Sequence, residues 1–500
     1  MLYTSTRGIK GLVTSACVIQ KGLAPDGGLY VPVHIPTLSR DEILEMCDLP
    51  YSTRALRILS YFLTDFNDSE LYSALVNAYN QKKFKDETTP LSIINNRLGI
   101  LELWHGPTCA FKDLALQLLP QLMTLSAKKL GDERKTVILV ATSGDTGKAA
   151  LEGFKDVAGT EIIVFYPNDG VSDIQKLQMQ TAEGNNVKVF GIDGNFDDAQ
   201  RGVKEIFGDA EFAKELNDKG FVLSSANSIN WGRLVPQIVY YFSAYCDLVK
   251  KGTIKIGEKI NFVVPTGNFG NILAGYYALK MGLPINKLIC ASNSNNVLTD
   301  FLKNGKYDKK REFYHTMSPS MDILVSSNLE RLLYYMTDSN AEKVNGYMED
   351  LNADSEYKIN EKEVAELKKI FYGAWADDEK TKERIQLMYM VNNYIIDPHT
   401  AVALSALNDY RANNQNDNHF TVVLSTASAF KFSKDVLKAL DKNYSGDDSS
   451  VAAMQKLADK IGGKTPNRLK NVTEKPVLHS EVIKFDDMRQ KIKDFLFTEQ

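Results

Sequence analysis

From Leu98 onward, short apolar runs rich in β-branched residues alternate with stretches of helical length, and this alternation is the strongest constraint on the fold. Runs at 100–104, 136–141, 161–166, 187–192, 259–264, 287–291 and 421–424 read as strands. Most are apolar at every position, as strands covered on both faces are, and lack the alternation of a half-exposed sheet. Helical stretches lie between them at 114–130, 146–157, 174–183, 196–207, 233–250 and 271–281. Repeated strand–helix–strand units predict an α/β fold with mostly parallel sheets. Ligands of such sheets bind beyond the carboxyl ends of the strands, so the residues that follow each strand are the ones to read for chemistry.

The flanking regions have a different texture. Residues 1–95 join a Gly/Pro-rich segment, Gly22–Pro32, to helices expected at 40–48 and 68–84, and read as an N-terminal domain. The α/β core is expected over 96–440, with a nested subdomain at about 136–240. A Glu/Lys/Asp-rich stretch at 338–384 has helical spacing and reads as a surface helical insertion. Tyr444–Ser450 reads as a linker within a C-terminal segment, 441–500. No internal repeat is present.

Composition excludes several classes of function. With 500 residues, 44% hydrophobic and 24% charged, the chain suits a soluble protein of two or three domains. A net charge of -4 gives no electrostatic footprint for nucleic acid. The one dense basic run, 303–311, is broken by acidic and aromatic residues and reads as a solvated face. No apolar run approaches the ~18 residues of a membrane span. The first eight residues have no apolar core of a secretory signal. Cysteines 17, 47, 109, 246 and 290 are widely spaced with no CxxC, and the six histidines form no HxxxH. No disulfide framework or metal site is expected, and a reducing, cytoplasmic setting is.

Three post-strand segments carry the candidate chemistry. In His105-Gly-Pro-Thr-Cys-Ala-Phe-Lys-Asp113, Lys112 stands at a strand–helix junction, where partial burial lowers an amine's pKa and suits it to Schiff-base chemistry. Asp113 is expected to cap the following helix. In Thr142-Ser-Gly-Asp-Thr-Gly147, a small turn opens onto a helix whose N–H groups and dipole favour an anion. Gly147-Lys148 resembles the end of a P-loop, but Thr142 replaces the first glycine and Ala149 the metal-binding hydroxyl. Pro265-Thr-Gly-Asn-Phe-Gly-Asn271 is a second anion cradle, spaced GxxG and so unlike a dinucleotide fingerprint. Two cradles and one amine suit a phosphorylated aldehyde cofactor bound to an amino acid.

These segments resemble threonine synthase. So do Ser225-Ala-Asn-Ser-Ile-Asn-Trp-Gly-Arg233, Ser318–Arg331, Phe196–Gln200, Asp397-Pro-His-Thr-Ala-Val402 and the Gly22–Pro32 segment. The likeness runs from about Tyr3 to Phe432 and points to the longer branch, with its own N-terminal domain. It implies a tryptophan-synthase-β-like (fold type II) pyridoxal-phosphate enzyme, with pyridoxal 5'-phosphate held as a Schiff base on Lys112. Gly267, Asn268, Phe269 and Asn271 would then meet the cofactor phosphate. Ser143, Gly144, Asp145 and Thr146 would surround the substrate carboxylate. Thr426 would meet the pyridine nitrogen and leave it largely unprotonated. The family's His-Pro after Thr-Ala is replaced here by Ser428-Ala429.

The implied reaction converts O-phospho-L-homoserine and water to L-threonine and phosphate, with Lys112 as the base. Asn227, Ser228 and Arg233 are the candidates for holding the departing phosphate; the alternative for Arg233 is an ion pair within a helix. Lys148 is either a further phosphate contact or a solvated lysine. The rival readings are an O-phosphohomoserine phospho-lyase or a serine/threonine dehydratase of the same fold, and a non-catalytic ligand sensor on this scaffold. Expected partners are a small-molecule substrate and at most copies of the same chain (monomer or small homo-oligomer), with no nucleic acid or membrane.

Overall fold

The computed structural model describes residues 1–85, 87–142, 144–168, 171 and 173–497, with only the backbone at 196 and 197. Two parallel sheets organise the chain. The larger has six strands in the order Phe371–Trp375, Ile285–Ser292, Ile260–Pro265, Thr421–Ser425, Leu98–Glu102, Leu91–Asn95. Only Leu91–Asn95 runs antiparallel to its neighbour. The smaller sheet is all parallel, in the order Val482–Ile483, Val187–Ile192, Thr160–Pro167, Lys135–Ala141, Phe221–Ser224.

Every strand read from the apolar runs is present. The central ones are buried from end to end, including Leu98–Glu102, Thr160–Pro167, Ile260–Pro265 and Thr421–Ser425. Helices cover them. Pro236–Lys250 and Pro398–Asn413 are buried at most positions and each begins with proline, whose fixed φ and missing N–H suit the first helical turn. Asp397 caps the second by accepting from the His399 N–H at 2.9 Å.

Proline also divides two stretches read as single helices. Residues 114–130 form Lys112–Leu116 and Leu119–Leu130, with Pro120 in the first turn of the second. Residues 233–250 fall in Trp231–Leu234 and Pro236–Lys250. The helix expected over 68–84 ends at Ala78.

The Glu/Lys/Asp-rich stretch is not wholly helical. Ala341–Ala353 and Glu361–Ile370 are helices, but Phe371–Trp375 is an edge strand paired in parallel with Ile285–Ser292. Its aromatic residues favour a pleated surface, and a Cβ on Gly373 would stand 3.1 Å from the Thr299 backbone, so glycine permits the close approach. At the other end of the chain, Val482–Ile483 extends the smaller sheet, and the helix Met488–Phe497 packs into that sheet's apolar cluster. Among the described residues, no helix is long and apolar enough to cross a membrane.

Candidate active site

Strand order creates the site. Thr421–Ser425 lies between Leu98–Glu102 and Ile260–Pro265, parallel to both. The segments after these three strands therefore leave the sheet side by side, although they lie far apart in sequence. They are the Lys112 segment, the Gly267–Asn271 loop and Thr426.

The Lys112 segment is pinned to the Thr426 segment by backbone hydrogen bonds. Phe111 donates to the Thr426 carbonyl at 2.8 Å, and Ser428 donates to the Cys109 carbonyl at 3.1 Å. Cys109 takes φ 57°, a left-handed conformation unusual for a side-chain-bearing residue. Asp113 is not the helix cap. It lies inside Lys112–Leu116 and accepts from the Thr108 N–H and hydroxyl, both at 2.8 Å, so it braces the turn that presents Lys112. Burial pushes the Asp113 carboxyl up to about 6. Burial also pulls the Lys112 ammonium down to about 8; Asp145 opposes this, while Lys431 and Arg233 add to it.

The second cradle is built for close approach. A Cβ on Gly267 would stand 2.7 Å from the Ser320 carbonyl oxygen, a contact that only glycine permits. Phe269 holds φ 60° at the N-cap of Gly270–Lys280, strain of the kind retained at ligand loops. The Asn268 carbonyl accepts from the Asn328 backbone N–H at 3.2 Å and side chain at 3.0 Å. Asn271 accepts at Oδ1 from Tyr240 (2.6 Å) and Tyr241 (3.0 Å), which leaves its buried Nδ2 without a partner among the described residues.

In the first cradle, Ser143 lies outside the described residues. Gly144 is the N-cap of Asp145–Phe154 at φ 146°, and a Cβ there would meet Gln175 at 2.5 Å. Asp145 is not a simple cap. Its carboxylate is buried against Lys431 Nζ at 2.5 Å and accepts from Gln175 at 3.0 Å. Burial would raise this carboxyl, but Lys431 and Lys112 outweigh it and hold it well below the carboxylate range. Thr146 is half-buried in the first turn. Lys148 is buried and pairs with Glu152 at 3.1 Å, so it is not a solvated lysine.

The 225–233 segment reaches the same region. Ser228 accepts from Asn328 at 3.2 Å, beside the second cradle, while Asn227 is half-buried in the turn before Trp231–Leu234. Arg233 is 4% exposed, and it donates to the Ala226 carbonyl. It has no carboxylate partner, and its Nε no hydrogen-bond partner, among the described residues. Burial pulls its guanidinium down to about 10. A buried cation of this kind is costly until an anion arrives.

Four residues that the sequence reading passed over complete the surroundings: Ser320, Asn328, His399 and Lys431. His399 lay within Asp397–Val402, and Ser320 and Asn328 within Ser318–Arg331. Nothing in their local sequence reveals which distant atoms they bind.

The residues fit pyridoxal phosphate. The half-buried amine of Lys112 suits an aldehyde, the glycine cradle and the orphaned Asn271 amide suit a phosphate, and Thr426 follows the strand that lies between them. Comparison with known proteins agrees. Family models described as "Threonine synthase N terminus", "Pyridoxal-phosphate dependent enzyme" and "Threonine synthase, C-terminal" match residues 2–79, 89–427 and 400–485. Human "Threonine synthase-like 1" is 40% identical over 85% of this chain; the match spans 58% of that protein's length. Threonine synthase of Pseudomonas aeruginosa is 39% identical, covering 88% of this chain and 90% of that one. The crystal structure of PLP-bound threonine synthase from Brucella melitensis superposes with TM-score 0.87 and 33% identity, over 99% of both chains. Family models along most of the chain, 39% identity to a threonine synthase over 88% of it, and a shared fold place this protein in the threonine synthase family of pyridoxal-phosphate-dependent enzymes.

Proposed function

We propose that this chain converts O-phospho-L-homoserine and water to L-threonine and inorganic phosphate. The observation that carries the reading is Arg233, a buried guanidinium without a carboxylate partner among the described residues, whose charge reaches the Lys112 amine. An amino acid with a phosphate on its side chain supplies an anion for that cation and an amine and α-carbon for Lys112.

Bound pyridoxal phosphate supplies an electron sink for the substrate's α- and β-carbons. The chain's own residues do the rest. Gly267, Asn268, Phe269 and Asn271 would hold the cofactor phosphate, and Thr426 would meet its pyridine nitrogen. The substrate carboxylate lies at the start of Asp145–Phe154, against Gly144 and Thr146, where helix N–H groups favour it. Asp145 acts differently: with Lys431 neutralising it, it does not repel that carboxylate. Lys112 Nζ takes the α-proton, since burial raises the neutral fraction of its amine above that of an ordinary lysine. Arg233, with Asn227 and Ser228, stabilises phosphate as it leaves the γ-carbon with loss of a β-proton; the γ-carbon is then protonated and water adds at the β-carbon.

The test is product identity. Incubation with O-phospho-L-homoserine is expected to give threonine and phosphate in equal amounts. Phosphate with 2-oxobutanoate and ammonia, and no threonine, would show a phospho-lyase instead.

A further inference from the structure

The Pro319–Met321 turn is anchored at three atoms of one residue. The Ser320 N–H donates to His399 Nε2 at 3.2 Å. Its carbonyl oxygen backs Gly267 in the phosphate cradle. Its Oγ lies 3.5 Å from Lys112 Nζ, at the outer edge of hydrogen-bond reach. His399 is itself fixed. It is 2% exposed, and its Nδ1 lies 2.8 Å from Asp397 Oδ1. Because Nε2 accepts from a backbone N–H, the ring hydrogen is on Nδ1 and is donated to Asp397. Asp397 also accepts from the His399 N–H and the Thr400 hydroxyl, and Thr400 lies 3.0 Å from Ser425, the residue before Thr426.

We infer that the Ser320 hydroxyl holds the Lys112 amine beside the reacting carbon, and that Asp397 and His399 are positioning residues that set Ser320 there. The inference deepens the reaction proposed above and rests on it. When the substrate's amine displaces it, Lys112 needs a polar partner in a buried site, or it swings out of line with the α-proton. The hydroxyl oxygen of Ser320 accepts one of its N–H bonds. A histidine serving only the core would place its second nitrogen against any convenient donor. Here that nitrogen meets the one backbone N–H whose side chain points to Lys112. The other charges facing Lys112 are Asp145, Lys431 and Arg233, and those facing His399 are Asp397 and Asp322, so among the described residues no charged group duplicates the contact.

The test uses the full-length holoenzyme. Ser320→Ala is expected to lower kcat about tenfold, the share of one buried hydrogen bond, with KM held within about twofold. It is also expected to move the pH midpoint of the cofactor's visible band, measured without substrate. His399→Ala should do both, and His399→Gln, whose side-chain oxygen can accept the Ser320 N–H, should restore most of kcat. An unchanged kcat and band midpoint in Ser320→Ala would overturn the inference. So would a His399→Ala protein that loses thermal stability but keeps both readouts. Ser320→Ala decides the matter alone if His399→Ala does not fold. Absence of threonine from the unaltered enzyme would sink the proposed reaction, while the substrate-free band would still judge Ser320.

Discussion

Lys112 shows what burial does to a single residue. An ordinary lysine titrates near ~10.4 and is almost wholly ammonium at neutral pH. Removal from water penalises the charged form and brings Lys112 to about 8. The sign is unambiguous: below that pH the group has no free electron pair, and above it the amine is nucleophilic. Protein stripped of cofactor should therefore capture pyridoxal phosphate at a rate that rises with pH and levels off above about 8. Stopped-flow absorbance checks this; levelling only near about 10 would mean that Lys112 is solvated. Lys112→Ala should develop no visible band at any pH. The importance of Lys112 was legible in its motif, as was that of Gly267. The pairing of Asp145 with Lys431 was not. Those residues follow strands of different sheets, and neither segment alone names the other as its partner.

At the scale of elements, glycine sets how closely the two sheets' helices meet. Gly153, near the end of Asp145–Phe154, faces the end of Lys112–Leu116, and a Cβ there would stand 2.0 Å from the Leu116 carbonyl oxygen. Alanine in a helix is otherwise favoured over glycine by about 1 kcal/mol. A clash with backbone cannot be relieved by a rotamer change, and overpacking of this kind costs about 3 kcal/mol. The clash wins, so Gly153→Ala should lose about 2 kcal/mol of stability. It should also weaken cofactor retention, because the displaced helix carries Lys112; thermal denaturation and a cofactor titration measure the two effects. Elements were legible where one force dominated. The apolar strands could be read directly. Phe371–Trp375 could not, because five residues between charged helices form a strand only when Ile285–Ser292 offers an open edge.

For the whole molecule, the N-terminal region is tied to the site by charge and by backbone. Arg7 makes a two-pronged contact with Glu330, at 3.0 and 2.9 Å, and Thr6 donates to the same carboxylate at 2.5 Å. The next residue, Arg331, is fully buried and donates to the carbonyls of Tyr30 and Ile229 and to Asn328 Oδ1. Asn328 in turn holds Asn268 and Ser228, so one short helix start links the first strands to both phosphate-binding candidates. Arg7→Met should strand the Glu330 carboxylate and cost about 3 kcal/mol, read by urea unfolding. Adding Glu330→Gln should recover part of that loss; a double variant no more stable than the single one would deny the pair its role.

The sequence by itself determined the alternation of buried strands and helices, the glycine cradles and the amine at a strand end. These depend on periodicity and turn chemistry, which act over a few residues. Tertiary structure alone decided strand order, and with it which loops meet. That order places Ser320 beside Lys112, His399 behind Ser320 and Lys431 on Asp145. Such pairings are set by the balance of desolvation against partners brought in from distant segments, and no local pattern encodes it. Lys112 was readable as an amine suited to an aldehyde; what holds that amine in line became visible only once the sheet was assembled.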